Sequence, residues 1–311
     1  MAIDAYVVLQ TGGAALLIWA LANLARWLWL YLWLPQRLTG ERLAERFGPG
    51  SWALITGASD GLGKAFAQEL ARYGFNLILV SRTQSKLDRL KDEMQALGVQ
   101  VRTVAADLSN TAPQTYESLA AAARDVDLSV LVNCVGVTVH RRYGDVPAKT
   151  LRYLLAVNVS TTAIVTHTLL PLLLRHAAST GRRAALLNVG SIVGRFYWPG
   201  TQLYGACKAF IDHLSVPLAY EYREQLDVLS FQPTVMATAM AAGTEPAAIT
   251  IPPQQAAHAA LSHLGHTQTS HGHWRHGLLA AFLVFLPCRM RDALFLKEAL
   301  AMGEVELANG E

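Results

Sequence analysis

The chain has 311 residues, 52% of them hydrophobic and only 16% charged, with a formal net charge of +3. That length allows one large core or two modest ones, and so small a charge, with no basic stripe interleaved with aromatics, argues against a nucleic-acid partner. Three widely spaced cysteines, Cys134, Cys207 and Cys288, form neither a disulfide framework nor a zinc-ligand spacing, which agrees with a reducing compartment.

The first element is a long apolar run, YVVLQTGGAALLIWALANLARWLWLYLWLP, over residues 6–35. No charge interrupts it from Val7 to Ala25, and about 20 apolar residues suffice to cross a bilayer core. Trp27, Trp29, Tyr31 and Trp33 then follow Arg26, a composition enriched where membrane meets water. A cleaved signal peptide wants a basic start and a shorter apolar core; here the start carries Asp4 and no Lys or Arg. A transmembrane helix is therefore predicted. With Arg26, Arg37, Arg42 and Arg46 all after the run, the main domain is expected on the cytosolic side. Residues 1–47 read as membrane anchor and linker, and 48–311 as the catalytic domain, with a substrate- or membrane-facing segment from about 236.

From Ser51 onward short apolar runs alternate with helical ones. Strands are expected at 52–56, 76–80, 101–107, 128–133, 184–190 and 228–233, most of them poor in polar residues, as strands covered on both faces are. Helical patterns lie between them, and two stop at Gly74 and Gly98, where a left-handed terminus is cheapest. Repeated strand–helix–strand units predict an α/β fold with a doubly wound parallel sheet of Rossmann type, following the transmembrane helix.

TGASDGLGKAF follows the first strand and opens the first helix of this pattern. Gly57, Gly61 and Gly63 are spaced G-x-x-x-G-x-G, related to the dinucleotide fingerprint without matching it. Glycines there let the backbone turn tightly against a pyrophosphate, whose charge meets amides at the helix N-terminus. No G-K-[ST] follows, which excludes a Walker loop. The second strand ends in Ser81 and Arg82 with no acid in reach. An acid there would bind the ribose 2′-hydroxyl of NAD, whereas arginine accommodates the 2′-phosphate, so NADP(H) is the expected cofactor.

Further on, NCVG (133–136), Asn158, NVGSIVG with Ser191, and YGACK (204–208) appear in order. Together with the glycine turn they resemble the short-chain dehydrogenase/reductases over about residues 50–240. The anchor and the stretches GASDGLGKAFAQELARYGFNLILVSRT and YGACKAFIDHLSVPLAYEYRE look most like the membrane-bound branch. That branch holds very-long-chain 3-oxoacyl-CoA reductases and 17-beta-hydroxysteroid dehydrogenases of types 3 and 12.

The resemblance implies a role for each matching position. Tyr204 would protonate the substrate carbonyl oxygen, and Ser191 would hydrogen-bond it. Lys208 would bind the nicotinamide ribose and favour the tyrosinate, and Asn158 would hold a water linking Lys208 to solvent. Gly57, Ser59, Asp60, Gly61, Leu62 and Gly63 would meet the pyrophosphate. Asp107 and Leu108 would lie near the adenine, and Asn133 and Gly136 at the turn after the fourth strand. Pro233, Val235 and Thr238 belong to the segment that closes over the nicotinamide. The chemistry is sound without the resemblance. A tyrosine with its ordinary pKa of about 10 is a proton donor at neutral pH, and positions i and i+4 share a helix face. Departures from the family pattern are Cys134 and Val135 within N-C-V-G, Thr234 where a glycine follows the sixth strand's proline, and Pro217, which is expected to kink its helix.

Three features are left over. Five histidines, His263, His266, His271, His273 and His276, fall in a stretch that reads as polar loop, with no acid or cysteine to complete a metal site. GLLAAFLVFLP (277–287) is too short to span a bilayer and reads equally as a core helix or as an element leaning on the membrane. Asn158 begins an N-V-S sequon, discounted because it would face the cytosol, and VELANGE carries no dilysine retention signal. An endoplasmic-reticulum location thus rests on the anchor and the resemblance.

The expected activity is NADPH-dependent reduction of a lipid ketone, a long-chain 3-oxoacyl-CoA or a 17-keto steroid, by an enzyme seated on a lipid bilayer. A homodimer is compatible with the sequence. The alternatives are a non-catalytic dinucleotide-binding membrane scaffold of the same fold and a membrane adaptor; an intact Ser191, Tyr204 and Lys208 speaks against the scaffold.

Overall fold

The computed structural model describes residues 5–37, 40–238 and 248–295; the middle of the expected substrate segment and VELANGE lie outside them. The chain begins with α1 (Ala5–Leu28), continued by a π-helical turn (Trp29–Trp33) and a 3-10 turn (Leu34–Arg37). Gly13–Arg37 is long and apolar enough to cross a membrane, and only 11% of its most apolar window is buried. Ala148–Thr180 passes the same test of length and composition, but Val165, Leu169 and Leu173 in it pack on the sheet, as a core helix does.

After α2 (Gly40–Phe47) the strand–helix alternation follows the expected course. The strands are β1 (Trp52–Thr56), β2 (Asn76–Ser81), β3 (Val101–Ala105), β4 (Leu128–Asn133), β5 (Ala184–Val189), β6 (Leu226–Phe231) and β7 (Thr269–Ser270). The helices are α3 (Gly61–Arg72), α4 (Gln84–Gln95), α5 (Pro113–Ala123), α6 (Ala148–Leu155), α7 (Thr161–Thr180), α8 (Gln202–Glu221), α9 (Pro253–His263) and α10 (Trp274–Phe285). All strand pairs are parallel, in the order β3-β2-β1-β4-β5-β6-β7.

Every residue of β1, β4, β5 and β6 is buried, and the pleat sends alternate side chains to opposite layers. Ile55, Leu79 and Val132 join Phe66, Leu70 and Phe231 in one layer, into which α2 also sends Leu43 and Phe47. Leu54, Ile78 and Leu131 join the α7 leucines in the other. Each such side chain contributes about 1.5–3 kcal/mol when fully buried. The edge strand β7 has two residues and was not legible in the sequence; an edge that short offers little for another chain to pair with.

Pro217 lies inside α8, which runs on to Glu221, and it is exposed there, as is His213. One expectation is corrected. The histidine stretch is not a solvated loop. His263 ends α9 and His276 lies in α10, both fully buried. Each pairs with specific groups: His263 Nε2 donates to the Leu30 carbonyl (2.6 Å) and its Nδ1 meets the Ser270 hydroxyl. His276 Nε2 donates to Ile249 O (3.0 Å), while its Nδ1 accepts from Thr234 N (3.3 Å). His258 reaches Pro35 O at 2.9 Å, and the Tyr31 hydroxyl accepts from His271 N at 3.3 Å. His258, His263 and the His271 amide thus form a collar that ties the end of the apolar helix to the sheet domain. No group of three metal-ligating side chains occurs among the described residues.

Candidate active site

The order in which the strands are laid down reverses between β1 and β4, which leaves a crevice at their carboxyl ends where such folds bind ligands. Gly57 turns there with φ +67°, and a Cβ on it would lie 3.1 Å from the Val135 backbone. Gly63 is held tighter: its Cβ would stand 2.1 Å from the Gly57 carbonyl oxygen. Only glycines let α3 start against this turn. Asp60 caps α3, accepting from Gly61 N at 2.7 Å, and Ser59 and Ser81 share a hydroxyl contact of 2.7 Å. Leu62 is buried beneath the turn. Over Gly61 lies Thr238, whose Cγ2 would be 3.3 Å from a Cβ there.

At the far end of the crevice Arg82 is exposed and donates to the Tyr153 hydroxyl at 3.1 Å. Asp107 is spent on its own turn, accepting from Ser109 N (3.0 Å) and Ser109 Oγ (2.8 Å). Leu108 is buried, and its carbonyl accepts from Thr161 Oγ1 at 2.6 Å. Asn133 points into the protein: its Nδ2 donates to Thr166 Oγ1 (2.9 Å) and Asn188 Oδ1 (2.8 Å). It shapes the turn from below, together with Thr56, whose Oγ1 accepts from Cys134 N at 3.0 Å. Nothing in the sequence flagged Tyr153, and Thr56 stood out only as the first residue of the glycine stretch.

The chemical centre sits where β4, β5 and β6 end. Asn158 lies fully buried in a π-helical turn (Ala156–Ser160) between α6 and α7. Its Oδ1 accepts from Val137 N (3.2 Å) and its Nδ2 donates to Val137 O (2.9 Å). Gly136 is squeezed beside it: a Cβ would lie 3.1 Å from Asn158 Oδ1 and 3.4 Å from Lys208 Nζ. The structure therefore brings Asn158, Gly136 and Lys208 together. Lys208 is buried on α8, and its ammonium donates to the Val189 carbonyl at 2.7 Å. It stands 5.5 Å from the centre of the Tyr204 ring. Ser191 follows β5 and caps the short 3-10 turn Ile192–Gly194. Pro233, after β6, holds this turn through its carbonyl, which accepts from Ile192 N at 3.0 Å.

Burial pushes Tyr204 up to about 12, while a hydrogen bond with Ser191 pulls the other way. Burial also brings Lys208 down to about 8, opposed by Cys134 and Cys207 nearby. The Cys134 thiol, in the place of the family asparagine, is itself pushed up to about 12 by burial and stays protonated at neutral pH. Tyr204 thus stays protonated at neutral pH, with the Ser191 hydroxyl and the Lys208 ammonium beside it.

The residues fit a nicotinamide dinucleotide by the space that they leave. The turn excludes any Cβ at Gly57 and Gly63, and the buried hydroxyls of Thr138 and Thr234 lack a partner among the described residues. Val235 lies in the segment between Thr234 and the Gly61–Thr238 contact, which covers the glycine turn.

Such a sheet, glycine turn and Ser–Tyr–Lys centre define a nicotinamide-dependent oxidoreductase. The chain belongs to the short-chain dehydrogenase family, whose pattern, described as short chain dehydrogenase, matches residues 51–248. It is 33% identical to the very-long-chain 3-oxoacyl-CoA reductase of Coccidioides immitis (strain RS), over 89% of this chain and 80% of that one. It is 34% identical to the very-long-chain 3-oxooacyl-coA reductase let-767 of Caenorhabditis elegans, over 81% of this chain and 80% of that one. Among solved structures it is similar to a 7beta-hydroxysteroid dehydrogenase, with TM-score 0.71 and 26% identity over 81% of this chain and 98% of that one. A short-chain dehydrogenase from Sphingobium yanoikuyae in complex with NADPH superposes with TM-score 0.61 and 27% identity, over 68% of this chain and 84% of that one.

Proposed function

We propose that the chain is a membrane-anchored, NADPH-dependent ketoreductase that converts a long-chain 3-oxoacyl-CoA to its 3-hydroxy product. The observation that carries the reduction chemistry is the half-buried Tyr204, hydrogen-bonded with Ser191 and with the Lys208 ammonium 5.5 Å from its ring centre. The names of the curated relatives supply the substrate class, and Arg82, with no acid beside it, supports the 2′-phosphate. The membrane reading rests on the exposed apolar stretch Gly13–Arg37, with the domain on the cytosolic side of the endoplasmic reticulum.

The glycine turn with Ser59, Asp60 and Leu62 would hold the pyrophosphate, Ser81 and Arg82 the 2′-phosphate, and Asp107 and Leu108 the adenine side. When bound, the cofactor supplies the hydride that reaches the carbonyl carbon. Ser191 Oγ hydrogen-bonds the carbonyl oxygen and sets its place beside Tyr204. The Tyr204 hydroxyl gives its proton to that oxygen, so the product is a neutral secondary alcohol rather than an alkoxide. Positioned proton donors of this kind contribute about 10²–10⁴-fold. Lys208 lies beside the tyrosinate that remains and favours its charge. Asn158, fixed to the backbone of Val137, holds the Lys208 side of the site open for proton return from solvent.

A cofactor-oxidation screen in detergent, over 3-oxoacyl-CoAs of rising chain length and over 17-keto steroids, tests the assignment. Turnover that grows with acyl length and is absent on steroids is expected. Turnover on steroids alone overturns the substrate class and leaves the chemistry in place.

A further inference from the structure

Helix α10 is apolar on both sides, and only one side has a partner. Its inner residues Ala280 and Leu283 pack with Ile192, Phe196 and Phe295, which places the helix against the loop directly after Ser191. His276 adds the hydrogen bond to Thr234 N, at the segment following β6. The outer residues Trp274, Leu278, Phe282 and Phe285 follow one another at helical spacing and are exposed, Phe285 to 81%. Arg275 is the single charged residue between Trp274 and Phe285. So large an unpartnered apolar stripe on a folded domain marks a contact surface.

Its place in the fold says which one. Gly277 is buried against the Tyr31 ring, which a Cβ there would meet at 2.7 Å, so α10 is docked on the end of the apolar helix. The exposed Leu28, Trp29, Leu32 and Trp33 of that end continue the same apolar surface. Both borders carry an arginine over a tryptophan: Arg37 lies 5.0 Å from the Trp33 ring centre and Arg275 lies 5.5 Å from that of Trp274. Paired arginine and tryptophan with an apolar body and a charged tip suit the headgroup level of a bilayer.

We propose that α10 is a second membrane contact. It lies in the bilayer surface beside the anchor, its outer stripe among the acyl chains and its inner face on the Ser191 loop. At 12 residues the helix is too short to span the hydrocarbon core, which takes about 20, and sits in the interface instead. The catalytic cleft then opens beside the lipid phase, and a long acyl chain reaches Ser191 and Tyr204 without crossing water. The proposal rests on the reading that Gly13–Arg37 enters the membrane.

The test is spin labelling of the full chain in phosphatidylcholine nanodiscs, in a C288S background that removes the exposed thiol. Labels go singly at Leu21→Cys on the anchor, at Phe285→Cys and Leu278→Cys on α10, and at Asp92→Cys on the remote face of α4. Collisions with dissolved oxygen and with a water-soluble nickel chelate are read at each. The expected result is that the two α10 sites gain oxygen relaxation and lose nickel relaxation, as Leu21 does, while Asp92 stays nickel-accessible. Nickel access at both α10 sites with Leu21 in lipid overturns the proposal and leaves the anchor standing. Nickel access at all sites overturns the anchor reading and the proposal with it. Protection of the α10 sites from both reagents, with dipolar broadening between chains, means that a second copy covers the stripe and equally overturns it.

Discussion

In its proposed role Lys208 must be cationic to favour the tyrosinate, and burial holds its ammonium at about 8. A base with a lowered pKa loses its charge as pH rises through that value, so the rate of ketone reduction is expected to fall above about pH 8. Tyr204, pushed up to about 12, stays protonated across the same range and adds no loss of its own. A pH profile of kcat/KM checks this, and a flat profile to pH 10 would place Lys208 outside the reacting unit. Arg82 gives a second residue-scale prediction: Arg82→Asp weakens NADPH use and moves preference toward NADH, read as the ratio of kcat/KM for the two. Ser191, Tyr204 and Lys208 stand out in the sequence as candidates because such chemistry needs fixed residue types at fixed spacing. The hydroxyl of Thr138 and the Val189 carbonyl were not, since any residue has a carbonyl and threonine is at home in many settings.

The histidine collar belongs to the scale of elements. His263 pairs with Leu30 and His258 with Pro35, across 233 and 223 residues of sequence. Such partners leave no local pattern, and a polar composition was all that could be read. The strands were legible for the opposite reason, because burial on both faces leaves an apolar run that stands out locally. Burial brings His263 and His276 down to about 4 from an ordinary 6.5. Their neutral forms are held in the folded state, so the unfolded chain binds more protons between these values. Stability is therefore full above about pH 6.5 and is lost as pH falls toward 4, which a series of thermal unfolding midpoints in detergent would show. Substituting His263→Ala leaves the Ser270 hydroxyl and the Leu30 carbonyl without that partner. It is expected to lower stability by about 1–3 kcal/mol, the cost of unsatisfied buried polar groups. An unchanged midpoint would mean that the collar does not hold the junction.

For the whole molecule, a sheet wound around a dinucleotide crevice carries an apolar helix at one end and a proton donor at the mouth of the crevice. The proposed long-chain substrate rests on the names of the relatives, and the exposed apolar stretch Gly13–Arg37 suits such a ligand. The most direct measurement is NADPH oxidation by the full chain in detergent with a long-chain 3-oxoacyl-CoA, beside the Tyr204→Phe variant. The account predicts stoichiometric formation of the 3-hydroxyacyl-CoA by the native chain. In Tyr204→Phe it predicts undiminished NADPH binding with turnover reduced by about 10²–10⁴-fold. Native-level turnover by Tyr204→Phe would contradict it.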